Sequence, residues 1–283
     1  MLAEVIEMLG LRETGVYVDA TVGLGGHAEE ILKRIGSGGR LIGIDRDDDA
    51  LRIAGSRLQD ERVVLKKGSF SDVENILSQE GIAEVDGILF DLGVSMLQLK
   101  NADRGFSFAS DSRLDMRMDD TQALSAWDVV NRYPEKEIDR ILWEFGEERL
   151  SRKIAKAIVS RRAKGTVDTC SELSSVVQGV YGGRGKTHPA TRTFQAFRIA
   201  VNRELEQLRE GLDAAARVLK RGGRLSVISY HSLEDRIVKH FIAAGAKNGL
   251  LRKITRKPLV PSTEEMRVNP SSRSAKLRTA ERI

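Results

Sequence analysis

Apolar positions along the chain follow two rhythms, and the switch between them divides it into regions. Val16–Ala20 (VYVDA) is a short apolar run that leads into the glycine-rich TVGLGG. Ala28, Ile31, Leu32 and Ile35 then recur at helical spacing. Arg40–Asp45 (RLIGID) predicts a buried strand ending on an acid, followed by a polar helix through Leu51, Ala54 and Leu58. Val63–Lys66 and Val85–Asp91 (VDGILFD) predict two further strands, with a helix around Val73–Leu77 between them. Short apolar strands alternating with helices predict a parallel sheet built from βαβ units.

From about Asn101 to Arg184 the pattern turns helical. Pro134–Phe145 starts with proline in a first turn, and Glu147–Arg162 places Leu150, Ile154, Ala157 and Ile158 on one face. Thr169 is positioned to cap a helix over Ser171–Val180, and the glycine-rich, basic composition of Gly182–Thr187 (GGRGKT) predicts a mobile stretch. The α/β rhythm resumes with one long helix carrying Phe194, Arg198, Val201, Leu205, Leu208 and Leu212. In that helix Phe194 and Phe197 fit the apolar periodicity and read as core. Arg224–Ser229 predicts a strand introduced by the turn Arg221-Gly222-Gly223, and Ser232–Ala243 predicts an amphipathic helix. Leu250–Thr255 and Ala275–Ala280 predict a closing hairpin. The expected organisation is α/β: a doubly wound sheet formed by residues 1–100 and 191–283, with an all-helical domain inserted over residues 101–190.

The 283 residues are 41% hydrophobic and 31% charged, the balance of a soluble globular protein. No stretch approaches the roughly 18 uninterrupted apolar residues of a membrane helix, and no basic-then-apolar signal pattern opens the sequence. The single cysteine, Cys170, excludes an internal disulfide framework and suits a reducing, cytoplasmic compartment. His27, His188, His231 and His240 show no zinc-ligand spacing with it, so no structural metal is expected. Charge changes the picture more. The net +5 is unevenly spread, because Tyr181–Ile283 holds 22 Lys and Arg against 9 Asp and Glu. A basic C-terminal third attracts a polyanion by releasing its counterions.

Three motifs lie where a strand hands over to a helix. In Asp19-Ala-Thr-Val-Gly23-Leu-Gly25-Gly26-His27 the glycines let backbone approach a ligand closely, and Asp45, twenty residues after Gly25, ends the next strand. A carboxylate there accepts the two hydroxyls of an adenosine ribose. Glycine loop and ribose acid suit a nicotinamide dinucleotide as well as S-adenosylmethionine. Asp19 favours the latter, since it faces a cationic group well and repels a pyrophosphate; Asp47, Asp48 and Asp49 likewise disfavour a 2′-phosphate. Asp91-Leu-Gly-Val-Ser-Met-Leu-Gln98 follows the fourth strand and borders the same crevice as Asp45. In Ser229-Tyr-His-Ser-Leu-Glu-Asp-Arg236, Ser232 reads as an N-cap with Asp235 completing a capping box, which leaves Tyr230 and His231 over the crevice. Methylation at cytosine C5 requires a thiolate, and Cys170 stands in the helical region without a partner motif. An exocyclic amine needs only placement and an acceptor for its N–H bonds, a role open to Asp91.

These strings, with Arg104-Gly-Phe-Ser-Phe108, Leu114-Asp-Met-Arg-Met-Asp119, His188-Pro-Ala-Thr-Arg-Thr-Phe-Gln-Ala196, His231-Ser-Leu-Glu-Asp-Arg236, Asn269-Pro and Arg273-Ser, resemble the bacterial small-subunit ribosomal RNA cytosine-N4 methyltransferases, the methyltransferase H family, from Met1 to Ile283. The resemblance implies a class I S-adenosylmethionine-dependent methyltransferase sheet with an inserted helical domain, acting on N4 of a cytidine in the decoding centre of 16S ribosomal RNA. It implies cofactor contacts at Gly25, Gly26, His27, Asp45, Phe70, Asp91 and Gln98, of which His27 and Gln98 come from the resemblance alone. Catalytic candidates are Asp91 and His231. Expected RNA contacts are Phe106, Phe108, Tyr230 and His231, with Arg192 in the basic Arg184–Arg198 stretch, and Arg252, Lys253, Arg256 and Lys257. Family members usually carry a short histidine-containing segment ahead of the position of Met1, and often a serine where Met96 stands. The proline-proline-aromatic signature of many DNA amino-methyltransferases does not follow Asp91. The alternatives are a DNA cytosine-N4 methyltransferase, a nicotinamide-dependent oxidoreductase, and a non-catalytic RNA-binding assembly factor.

Overall fold

The computed structural model describes residues 1–95, 97–98, 104–108, 110–182 and 188–283; Met96 and most of the GGRGKT stretch lie outside the described residues. Two compact units form, one from Met1–Gly93 with Leu205–Ile283 and one from Val94–Glu204.

The first unit holds seven strands: β1 (Val16–Asp19), β2 (Arg40–Asp45), β3 (Val63–Lys67), β4 (Val85–Asp91), β5 (Leu219–Ser229), β6 (Leu251–Lys253) and β7 (Lys276–Arg282). Their order is β3-β2-β1-β4-β5-β7-β6. The first five are parallel, whereas β7 runs antiparallel to both β5 and β6. The chain winds outward from β1 through β2 to β3, then returns to place β4 on the other side of β1. This reversal opens a crevice at the carboxyl ends of β1 and β4, where open α/β sheets bind ligands.

Side chains alternate across the sheet, and both faces are covered. Val18, Ile42, Ile88 and Phe90 belong to one apolar layer with Leu208 and Leu212. Tyr17, Leu41 and Leu89 belong to the other, with Ala28, Ile31 and Leu58. Burial on both faces explains why the strands read as nearly continuous apolar runs. The helices are α1 (Leu2–Leu9), α2 (Gly26–Leu32), α3 (Asp48–Arg57) and α4 (Val73–Gln79). Of these, α1 is an addition to the elements expected from the apolar pattern. Val5, Ile6 and Leu9 anchor it, and Gly10 closes it in the left-handed conformation at φ 62°.

The second unit is helical: α5 (Ala126–Arg132), α6 (Glu135–Gly146), α7 (Ser151–Arg162), α8 (Cys170–Tyr181) and α9 (Thr191–Asn202). Its core includes Leu114, Ile141, Leu142, Ile154, Ile158, Leu173, Phe194 and Phe197. Thr169 caps α8 in a reciprocal box with Glu172.

Two helices differ from the expected ones. The single helix through Phe194 and Leu212 is broken at Arg203, which takes φ 51°, and α10 (Glu204–Val218) follows. The two halves serve different cores, so the helical unit extends to Glu204 and does not end near residue 190. The helix expected from Glu147 starts only at Ser151. Glu147 is left-handed at φ 47°, and the buried Glu148 carboxylate accepts from Leu150 N–H (2.9 Å) and from the Tyr181 hydroxyl (2.6 Å).

Candidate active site

Three strands end on acids at the crevice, and parallel pairing brings those ends side by side. Asp19 closes β1, Asp45 closes β2 and Asp91 closes β4. Register aligns Asp19 with Gly43 on one side and Leu89 on the other.

Asp19 is 1% exposed, and among the described residues its carboxylate accepts only a long hydrogen bond, from Thr21 N–H at 3.3 Å. Burial, reinforced by Asp91 and Asp45 nearby, pushes its carboxyl up to about 8. Asp45 accepts from Gly23 N–H (2.9 Å) and Asp47 N–H (3.0 Å), and burial raises its carboxyl as well. The Gly23 bond ties Asp45 to the first turn of the glycine loop.

Asp91 is held from several sides. Its N–H donates to Thr21 Oγ1 at 2.7 Å, the Tyr230 hydroxyl donates to its Oδ1 at 2.9 Å, and His27 Nδ1 lies 3.6 Å from Oδ2. Burial raises the Asp91 carboxyl, opposed by His27 and the Tyr230 bond. Burial lowers His27, opposed by Asp91, while burial and the Asp91 charge push the Tyr230 phenol above its ordinary range. Thr21 was missed as a holder of Asp91, although it sits inside the Asp19-x-Thr string.

The glycine loop suits a closely approaching ligand. Gly23 and Gly25 adopt φ 50° and 81°, and a Cβ added at Gly26 would meet no atom within 4 Å. Phe70 opens a short 3₁₀ turn after β3. Its half-buried ring packs 5.2 Å from that of Phe90 and tightly against Gly211.

Several expected residues have other duties. The N-cap of α11 (Ser232–Lys247) is His231, not Ser232: its side chain accepts from Glu234 N–H at 3.4 Å, and Glu234 accepts from Tyr230 and His231 N–H. Asp235 instead pairs with Arg278 and Lys276. His231 therefore has a structural role, and Asp91 is the better catalytic candidate. Tyr230 is committed through its hydroxyl to Asp91, which makes it a holder of the acid.

Gln98, Phe106, Phe108 and Arg192 belong to the helical unit. Gln98 is buried and accepts from Ser95 N–H at 3.1 Å. Phe106 is taken into the helical core, which corrects its assignment as a stacking ring. Phe108 already stacks on His188 at 4.1 Å and meets Phe194 edge-on. Arg192 is exposed and donates to Glu147 C=O at 3.2 Å. Arg252, Lys253, Arg256 and Lys257 are exposed on and after β6, with Arg252 paired to Glu281.

Among the described residues none of the three strand-end acids pairs with a lysine or arginine. Buried acids that meet no lysine or arginine among the described residues fit a ligand that brings ribose hydroxyls and positive charge, and they offer nothing to hold a pyrophosphate. The residues present thus fit S-adenosylmethionine and oppose a dinucleotide.

Comparison with known proteins points the same way. The model of the MraW methylase family matches residues 1–283. Relatives named ribosomal RNA small subunit methyltransferase H include one from Caldicellulosiruptor bescii, 46% identical over 300 residues and covering 100% of this chain and 98% of the relative. Another, from a Sulfurihydrogenibium species, is 49% identical over 285 residues, covering 99% and 97%. A solved structure from Clostridium thermocellum, provisionally described as an rRNA-methylase, aligns with a TM-score of 0.50 at 15% identity, covering 100% of this chain and 97% of that one, and shares the fold.

Proposed function

The chain belongs to the MraW methylase family, and from that premise we propose that it uses S-adenosylmethionine to methylate small-subunit ribosomal RNA, at N4 of a decoding-centre cytidine in 16S RNA. The relatives' shared name supports the ribosomal substrate, and the sequence resemblance supports the nucleotide.

One observation carries the choice of an exocyclic amine: the crevice offers a carboxylate, and the chain's single thiol is not a nucleophile. Cys170 is buried in the helical core, its thiol donates to Gly105 C=O at 3.2 Å, and burial pushes it up to about 11. C5 methylation needs a thiolate. Amine methylation needs alignment and an acceptor.

When bound, S-adenosylmethionine supplies an electrophilic sulfonium methyl. Gly25 and Gly26 would admit it to the backbone, Asp45 would take the ribose hydroxyls, Asp19 would face its positive charge, and Phe70 would offer its ring to the adenine. His27 and Gln98 join this set through the resemblance. Asp91 would accept a hydrogen bond from the amine, raising nitrogen electron density, and would take the released proton as the nitrogen–carbon bond forms and the sulfur–methyl bond breaks, its electron pair staying on sulfur. Tyr230 and His27 keep the carboxylate aimed.

The test is to incubate the protein with labelled S-adenosylmethionine and small subunits lacking the modification, then digest and identify the labelled nucleoside by mass spectrometry. Label on one decoding-centre cytidine as N4-methylcytidine is expected. Label as 5-methylcytidine, or label only on duplex DNA, would overturn the reading.

The exposed cations after β6 supply RNA affinity in this scheme. Replacing Arg252, Lys253, Arg256 and Lys257 by alanine should reduce the slope of log affinity against log salt by about 3, at ~0.7 for each single-strand phosphate no longer neutralised. An unaltered slope removes this segment from the RNA interface.

A further inference from the structure

We infer that a groove on the helical unit, between the outward face of α6 and the start of α7, binds single-stranded RNA, with a base stacked on Trp143 and phosphates held by Lys136, Arg149 and Lys153. This rests on the reading of RNA as the substrate and adds a docking surface to it.

Lys136, Arg140 and Trp143 recur at four- and three-residue intervals on α6, opposite the buried Ile138, Ile141 and Leu142. The facing wall is Arg149, Leu150 and the first turn of α7, and the open groove between them has a volume of about 640 Å³.

Trp143 is 62% exposed, so its indole contributes little to the core. The chain's other tryptophan behaves differently: Trp127 donates its indole N–H to Asp168 (2.7 Å) and lies under the Arg132 guanidinium at 5.1 Å. Among the described residues nothing comparable engages Trp143.

The charges around it divide into two sets. Arg140 is balanced by Glu137 and Glu144, and Arg152 stands 3.7 Å from Asp139. Lys136, Arg149 and Lys153 are exposed and meet no carboxylate among the described residues. Arg152 and Lys153 also occupy the first turn of α7, which has no acid there and no side-chain cap. Cations at a helix start oppose its dipole; the Glu148 carboxylate bonded to Leu150 N–H and Asp139 beside Arg152 offset this in part, and a phosphate would offset it further.

An exposed indole among unpaired cations matches how proteins hold single strands, where aromatic rings stack on bases and cations track the backbone. A protein partner would call for several apolar anchors in a desolvated centre, and this groove offers one ring.

The test uses the 283-residue protein and a fluorescein-labelled 12-nucleotide single-stranded RNA, titrated across a salt series. Trp143→Ala should weaken binding roughly five- to a hundredfold, and Trp143→Phe should restore most of it. Replacing Lys136, Arg149 and Lys153 by alanine should reduce the salt slope by about 2. In methylation assays these variants should raise KM for the RNA with kcat unchanged, and their melting temperatures should match the parent's because every altered side chain is exposed. Parental affinity and salt slope in both the tryptophan and the triple-cation variants would overturn the proposal. So would normal oligonucleotide binding combined with lost methylation of assembled subunits, which would make the groove a contact for a ribosomal protein. If the RNA reading itself fails, the parent enzyme methylates no RNA, whereas failure of the groove alone leaves parental methylation intact.

Discussion

Asp91→Asn is expected to lower kcat for methyl transfer roughly 10²–10⁴-fold, the usual contribution of a positioned acceptor, while RNA binding stays close to the parent's. Asparagine preserves the shape at the end of β4, and Tyr230 and Thr21 can still hold it there. What it loses is an anionic oxygen that accepts from the amine and takes its proton. Single-turnover methylation beside oligonucleotide binding separates chemistry from recognition; a variant retaining more than about a tenth of parental kcat would remove Asp91 as the acceptor.

Tyr230→Phe tests the support around that acid. The hydroxyl bond at 2.9 Å favours ionised Asp91, so its loss moves the Asp91 carboxyl further up. The acid limb of the pH–rate profile should therefore shift to higher pH, with a rate loss of about tenfold at neutral pH. Catalysis that weakens without this shift would assign Tyr230 a purely structural part.

The second large effect concerns cofactor affinity and pH. Asp19 has an ordinary carboxyl value of 3.8 and is raised to about 8 in the folded protein. Between those values the folded chain holds a proton that the unfolded chain releases. The ligand-free protein therefore loses stability as pH rises through this window. A cation bound against the carboxylate must displace that proton. Affinity for S-adenosylmethionine should thus rise with pH, approaching tenfold per unit below about 8, and level off above it. S-adenosylhomocysteine, whose sulfur is uncharged, should show a shallower dependence, and Asp19→Asn should flatten it. Titration calorimetry in buffers of different ionisation enthalpy reads the released proton directly. Affinity independent of pH between 6 and 8 would mean Asp19 does not face the positive charge.

Much of the sheet was legible because both faces of each strand are buried. β2 and β4 have the bounds their apolar runs suggest, and the late hairpin pairs as expected. The strand-end acids were equally visible, since an aspartate closing an apolar run marks the carboxyl edge of a parallel sheet. Helix limits were less so. Glu147 and Arg203 both adopt left-handed backbone without being glycine, and no local signal announces that. The cap of α11 was misplaced by one residue, because histidine is an unusual cap and a serine stood beside it.

By itself the sequence determined the parallel α/β core, the glycine turn and the three acids that punctuate its strands, because burial and turn chemistry write themselves into residue type at short range. Only the tertiary structure decided what those residues do together. It set Asp91 between Tyr230 and His27, residues separated from it by nearly half the chain or by two strands. It also drew Phe106 into a core and left Trp143 outside one. Hydrogen-bond partners, exposure and the electrostatic strain of buried charge depend on which distant segments meet, and spacing along the chain does not encode that meeting.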